Sequence, residues 1–305
     1  MDCQIKSQFT ESPVCKKLNV QYSNKKRTCS LVCPQEVAKM AKLIDRIWLW
    51  GQNPGSHHVN PAYRLPGKNT MTPLEGCRFF GIDRCCRVAM SAGPFPPFDE
   101  ESKPLDQLKE VVWSIVGAGG VKRNEENLAD LDEVLRQAKM HSNVVGGIMD
   151  DFLLSDRRRE IFTPEVLKKV KETLRTAVGR PLEYWTVYYE REMGLDVREF
   201  LEVFDVITFW TWYGENLQNL EDNLNKVIAD NPGKRFYCGC YLWDYGNGKA
   251  LTSEQMQHQL DVCYKFIRNG QLAGIIICSN CCADVGLETV PQLLAWLKEH
   301  GSEEL

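Results

Sequence analysis

Five clusters of acidic, aromatic and amide side chains stand where short apolar runs give way to polar sequence. They are Asp150-Asp151, Tyr188-Tyr189-Glu190, Trp210-Thr211-Trp212-Tyr213, Tyr241-Leu242-Trp243-Asp244-Tyr245 and Ser279-Asn280. Carboxyl groups give and take protons, and two of them flanking a bond can protonate a leaving oxygen on one side while attacking, or activating water, on the other. Asp150 or Asp151 together with Asp244 would supply such a pair, with Glu190 as a reserve acid or base and Asp284 as a weaker one. Neighbouring residues in a strand point opposite ways, so one of Asp150 and Asp151 is expected to face a common pocket. The other would cap a turn or raise its partner's pKa by like-charge repulsion.

The side chains around these carboxylates narrow the ligand. Of eight tryptophans, Trp48, Trp50, Trp113, Trp185, Trp210, Trp212 and Trp243 fall in strand-like runs, and Trp296 lies in a helical one. Trp48 and Trp185 are expected to fill the core. A sugar ring has an apolar C–H face and a hydroxyl edge, which suits flat aromatics beside carboxylates and amides. Trp50, Trp113, Tyr189, Trp210, Trp212, Tyr241 and Trp243 are therefore expected to shape sugar subsites, with Asn280 holding a hydroxyl. The competing reading is aromatic core filling without a ligand, since strands favour these residues in any case.

Other motifs point away from other chemistries. The phosphate-cradling patterns GxGxxG and GxxxxGK[ST] are absent, as are GxSxG and HExxH. Ala118-Gly119-Gly120 reads as a loop turn. The chain has five histidines, none at the end of a strand-like run, and His57-His58, in the long loop after the first run, could touch substrate but reads rather as a solvated loop pair. The cysteine pairs Cys85-Cys86 and Cys281-Cys282 are adjacent, without the spacing that lets two thiolates reach one zinc ion. Neither a metal nor a cofactor is expected. Arg84 and Arg87 flank the start of a strand-like run, away from the expected rim, and Arg157-Arg158-Arg159 reads as a solvated basic face.

The elements that must position these residues alternate. Eight strand-like runs can be read, at Arg46–Gly51, Cys85–Met90, Val111–Gly117, Val144–Asp151, Leu182–Glu190, Val206–Trp212, Arg235–Asp244 and Gly274–Asn280. Amphipathic helices separate them. Thr163-Pro164 opens one whose buried face is Val166, Val170, Leu174 and Ala177, ending at Gly179. Leu217, Leu220, Leu224 and Val227 make a second stripe. Thr252 with Gln255 resembles a capping box ahead of Met256, Leu260, Cys263 and Ile267. Eight βα units predict an α/β fold, a single (β/α)8 TIM barrel over residues 41–305, preceded by an irregular N-terminal segment at 1–40 packed on it. Pro94–Pro97 would stiffen the loop after the second strand. In such a barrel, functional groups gather at the carboxyl ends of the strands.

Composition sets the outer bounds. At 305 residues with 43% hydrophobic and 26% charged residues the chain is long enough for a substantial core and is neither disordered nor fibrous. A net charge of -4 gives no reason to expect nucleic acid or an anionic membrane surface as partner. No run approaches a membrane span, the first residues carry no signal-peptide pattern, and thirteen cysteines, several inside apolar runs, favour reduced thiols and a cytoplasmic setting. Oligomeric state is not legible.

With GIMDDF (Gly147 to Phe152) ending the fourth strand-like run and YLWDYG (Tyr241 to Gly246) the seventh, the chain resembles the (β/α)8-barrel glycoside hydrolases. Many members of that superfamily place an acid/base carboxylate after strand four and a nucleophile after strand seven. The segments depart from the commonest Asn-Glu and Glu pattern, and Phe152 stands where chitinase-like members carry Glu, so the motifs point to no single family. The resemblance implies a glycosidase working on a small carbohydrate by carboxylate chemistry, without a cofactor. The alternatives are a barrel sugar isomerase, epimerase or lyase using the same carboxylates, with or without a metal, and a carbohydrate-binding barrel without catalysis.

Overall fold

The computed structural model describes residues 41–90, 92–118 and 128–305; the N-terminal segment expected at 1–40 lies outside the described residues. Eight strands are present: β1 (Ile47–Gly51), β2 (Arg84–Arg87), β3 (Glu110–Val116), β4 (Val144–Met149), β5 (Glu183–Tyr189), β6 (Val206–Trp210), β7 (Arg235–Tyr241) and β8 (Gly274–Cys278). Each pairs in parallel with its sequence neighbour, and β8 returns to β1 from Ile47↔Ile275 to Trp50↔Cys278, so the sheet is a closed TIM barrel. β1 ends at Gly51 as read from sequence, and the other seven strands end one to three residues short of the carboxyl ends read there. The polar residues that ended those runs, Asp150, Asp151, Trp212 and Asp244 among them, belong to the loops at the mouth.

The crossovers carry α1 (Pro73–Phe80), α2 (Asp99–Ser102), α3 (Leu131–Met140), α4 (Asp156–Ile161), α5 (Pro164–Thr176), α6 (Arg198–Leu201), α7 (Leu220–Asp230), α8 (Ser253–Arg268), α9 (Asn280–Ala283) and α10 (Thr289–His300). Their punctuation follows the sequence. Thr163 caps α5 through Val166 N, and Thr252 with Gln255 forms a complete capping box at α8, whose buried face includes Met256, Leu260, Cys263 and Ile267. Leu217 lies in a 3-10 turn just before α7, whose own buried face is Leu220, Leu224 and Val227.

Two corrections concern basic residues. The second strand begins at Arg84, so Arg87 closes it instead of standing near its start. Arg87 is fully buried, pairs with Glu101 at 2.6 Å and lies over the Trp113 ring at 5.6 Å. Arg158, expected on a solvated face, is 2% exposed. It sits in α4 and turns inward onto the backbone of the β3 and β4 ends.

Side chains pointing inward fill the barrel in layers, because alternate residues of each strand face the axis. Trp48, Trp185 and Tyr237, near the starts of β1, β5 and β7, form the lower layer, with Trp48–Trp185 centroids at 5.0 Å and Trp185 stacked on Tyr237 at 4.9 Å. Both tryptophans are core, as the sequence suggested. One layer up, Trp210 meets Trp50 at 5.1 Å and Tyr241 at 5.0 Å. Its indole N–H donates to Thr208 Oγ1 (2.8 Å), which in turn donates to Thr186 O (3.1 Å), so the ring is anchored to β5 and β6. Gly239 of β7 lets that ring lie against bare backbone: a Cβ there would stand 1.9 Å from the Trp210 ring. Gly239→Ala should therefore destabilise the barrel by about 1–3 kcal/mol, the usual penalty for overpacking. Urea denaturation reads this directly, and wild-type stability in the variant would show that the ring can move aside freely.

Candidate active site

Above the Trp210 layer a pocket opens at the carboxyl ends of the strands, with about 390 Å³ of space between atoms, part of it continuous with solvent. Asp150, Asp151, Trp50, Tyr189, Trp210, Trp212 and Tyr241, all expected site residues, line it. Trp50 and Trp210 are nearly fully buried and form its floor, whereas Trp212 is half-buried nearer the mouth. The aromatic wall is continuous: Trp212 stacks on Tyr245 at 5.7 Å, Tyr245 meets Tyr241 and Tyr63 at 5.0 Å each, and Tyr189 stands edge-on to Trp212 at 5.9 Å.

Asp150 and Asp151 both line the pocket, contrary to the expectation that one would turn away. The strand ends at Met149, and Asp151 takes a left-handed backbone with φ 48°, which breaks the extended alternation. Aspartate is among the few side chains that enter this region readily. The turn is held from beneath by Arg158, whose guanidinium donates to the carbonyls of Gly117 (3.0 Å), Asp150 (3.3 Å), Asp151 (3.1 Å) and Ala118 (3.4 Å). One buried cation thus fixes the ends of β3 and β4 to each other.

The environments of the two carboxyl groups differ. Asp150 is 3% exposed, and burial first, then the Asp151 charge, push its pKa well above the usual carboxylate range. Asp151 is half-buried and accepts a hydrogen bond from the Tyr189 hydroxyl at 2.9 Å. A third carboxyl group, Glu192, was not anticipated. It is 1% exposed, accepts the Tyr189 amide proton at 2.7 Å, and has its pKa raised to about 7, chiefly by burial and also by Asp151. Nothing in its sequence context separates it from a surface glutamate, because its burial follows from the 3-10 turn Glu190–Glu192 that β5 feeds.

Five expected site residues do not reach the pocket. Asp244 is buried but turned into its own loop, where its carboxylate accepts from the Asn247 amide (3.1 Å) and side chain (2.9 Å), beside Gly214. It organises the turn that brings Lys249 back to it. Glu190 accepts from Trp212 N (2.9 Å) and Asn216 Nδ2 (3.2 Å) and so fixes the β6 loop. Trp113 is stacked on Phe98 at 4.6 Å, away from the pocket. Trp243 donates to Tyr63 O (2.7 Å), and Asn280 clamps Gln52 and Met71 through their backbones. Asp284, the weaker acid candidate, caps the chain at Thr70 and Met71. These groups support the wall without touching its contents.

Gln52, His57, Tyr63, Met90, Ala118, Tyr245 and Cys278 also line the pocket. Only Tyr245 lay in a cluster marked by sequence. His57, expected in solvent, is 3% exposed. Among the described residues no group of three or more His, Cys, Asp or Glu side chains is placed to hold a metal ion, the nine cysteines are free and buried, and no helix is long and apolar enough to cross a membrane.

No family model matches the sequence, and no curated protein matches it. Among solved structures, the fold is similar to that of a GH113 β-1,4-mannanase (TM-score 0.50, 12% identity, covering 85% of this chain and 99% of that one). It is also similar to the xylanase and α-amylase inhibitor protein XAIP-II from Scadoxus multiflorus (TM-score 0.50, 11% identity, 84% and 98%). At such identities the likeness is one of fold.

Glu192 gives the site a pH signature. The folded chain holds its proton up to about pH 7, whereas the unfolded chain releases it near the ordinary value of 4.5. Stability therefore falls as pH rises through that interval and levels off above it. Glu192→Gln, which keeps an acceptor for the Tyr189 amide, should gain on the wild type between pH 5 and 8 by up to about 3 kcal/mol. Parallel urea titrations at the two pH values measure it, and an identical pH response in both proteins would contradict it.

Proposed function

We propose that this barrel is a glycosidase in which Asp150 is the general acid and Asp151 its nucleophilic or basic partner. The observation that carries the reading is that one turn puts a buried, proton-holding carboxyl group and a phenol-bonded carboxylate on the same aromatic pocket. A carboxyl group that keeps its proton can pass it to the leaving glycosidic oxygen as the C–O bond breaks. Its neighbour then attacks the anomeric carbon or takes a proton from water. Indole and phenol faces at Trp212, Tyr241 and Tyr245 suit the C–H face of a sugar ring. The fold shared with a protein named as a mannanase supports the same substrate class.

A second reading rests on Asp244. With that carboxylate held by Asn247, no acidic group among the described residues from a strand distant from β4 lines the pocket, and the barrel could bind carbohydrate without cleaving it. The fold shared with a protein named as a xylanase and α-amylase inhibitor protein supports this second reading.

A panel of aryl glycosides and oligosaccharides, assayed with wild type, Asp150→Asn and Asp151→Asn, separates the two. Each substitution should lower kcat by about 10²–10⁴-fold with the thermal transition retained. Turnover undiminished in both variants defeats the catalytic assignment, and sugar-induced thermal stabilisation without turnover in the wild type moves the chain to the binding reading.

A further inference from the structure

The loop after β1 contributes two polar side chains to the pocket that the acid/base scheme leaves unused. His57 is 3% exposed, and its ring is fixed edge-on between Tyr63 (5.8 Å) and Tyr245 (5.0 Å). Its Nδ1 lies 2.6 Å from the Tyr245 hydroxyl, which lies 3.0 Å from Cys282 Sγ. A phenol is a strong donor and an imidazole nitrogen a strong acceptor, whereas a thiol is weak in both senses. The short contact is therefore Tyr245 O–H donating to Nδ1, with the thiol donating to the phenol oxygen. The reverse order would give the phenol proton to sulfur. Burial, and next the neighbouring His58, lower the His57 pKa to about 3, so the ring is neutral and its one proton sits on Nε2. Among the described residues, Nε2 has no hydrogen-bond partner.

Gln52, 2% exposed, supplies the complement. Among the described residues its Oε1 has no partner, and it is the one buried orphan polar atom there that belongs to a side chain lining the pocket. A buried carbonyl left unpaired costs about 1–3 kcal/mol, a penalty that a ligand donor would remove. A donor and an acceptor left over in one wall match a group that can be both, which is a hydroxyl.

We propose that His57 and Gln52 form a hydroxyl-reading wall, His57 donating through Nε2–H and Gln52 accepting through Oε1, and that they select a sugar ring carrying hydroxyls on that edge over its deoxy analogue. The inference rests on the pocket being a sugar site. It makes the β1 loop the specificity element and the β4 turn the chemical one.

The test has two arms. In the first, pocket tryptophan fluorescence is titrated with free D-glucose, D-galactose, D-mannose, D-xylose, L-fucose and N-acetyl-D-glucosamine, and the tightest binder is compared with its monodeoxy forms. In wild type at least one deoxy form should bind about tenfold or more weakly. His57→Phe and Gln52→Met should weaken the parent sugar by about 10- to 100-fold and bind that deoxy form no worse than wild type does, while His57→Gln recovers part of the loss. Variants that retain their thermal transition and still discriminate like wild type overturn the proposal while leaving the sugar site standing. Absence of binding by every sugar in wild type removes the sugar-site reading, and this inference with it. In the second arm, side-chain nitrogen NMR of the free wild type at pH 7 should show His57 as the neutral Nε2–H tautomer. A proton on Nδ1 overturns the proposal whatever the ligand.

Discussion

Closure of the sheet is the constraint from which the rest follows. Once β8 pairs with β1, eight parallel strands share one direction and their carboxyl ends surround one mouth. Residues separated by more than two hundred positions then become neighbours, as Gln52 and Asn280 are through two hydrogen bonds of 2.9 Å. An open sheet with the same strands would spread Trp50, Asp150, Tyr189, Trp210 and Tyr241 along an edge. The ring gathers them round an aromatic plug whose layers, Trp48, Trp185 and Tyr237 and then Trp210, lie beneath the pocket.

Within that frame the labour divides between groups facing the pocket and groups holding them. Arg158 ties the β3 and β4 ends, Glu190 the β6 loop, Trp243 the backbone at Tyr63 and Asp284 the chain at Thr70 and Met71. Each is a polar side chain near the mouth that hydrogen-bonds to backbone. That use of Asp, Glu and Arg is economical in a loop-built site, since buried carbonyl and amide groups need partners and a charged side chain can satisfy several together.

The alternation of apolar runs and amphipathic helices was enough to reveal the barrel, because period and punctuation are local properties that closure preserves. Caps at Thr163 and Thr252 and the core roles of Trp48 and Trp185 were legible for the same reason. The pocket was legible as a region but only partly residue by residue. Asp244 and Asp150 have equally good local contexts, and what separates them is Asn247, which folds back onto one of them. Trp113 and Trp210 are both strand tryptophans, yet a partner outside the barrel, Phe98, holds the first, and bare backbone at Gly239 admits the second to the interior. His57 and Arg158 were misread because short polar runs resemble solvated loops until tertiary contacts bury one member of the run. Glu192 depended on a one-turn 3-10 segment too short to carry a period.

The left-handed backbone at Asp151 has a bearing on how this site can change over generations. At φ 48° a side chain branched at Cβ is poorly tolerated, so the residues that can occupy the position without distorting the turn are essentially Asp, Asn and Gly. Two of those three abolish the charge. Single-step drift at this corner therefore tends to leave the barrel folded while removing a carboxyl group from the pocket, a change nearly invisible to selection acting on stability alone.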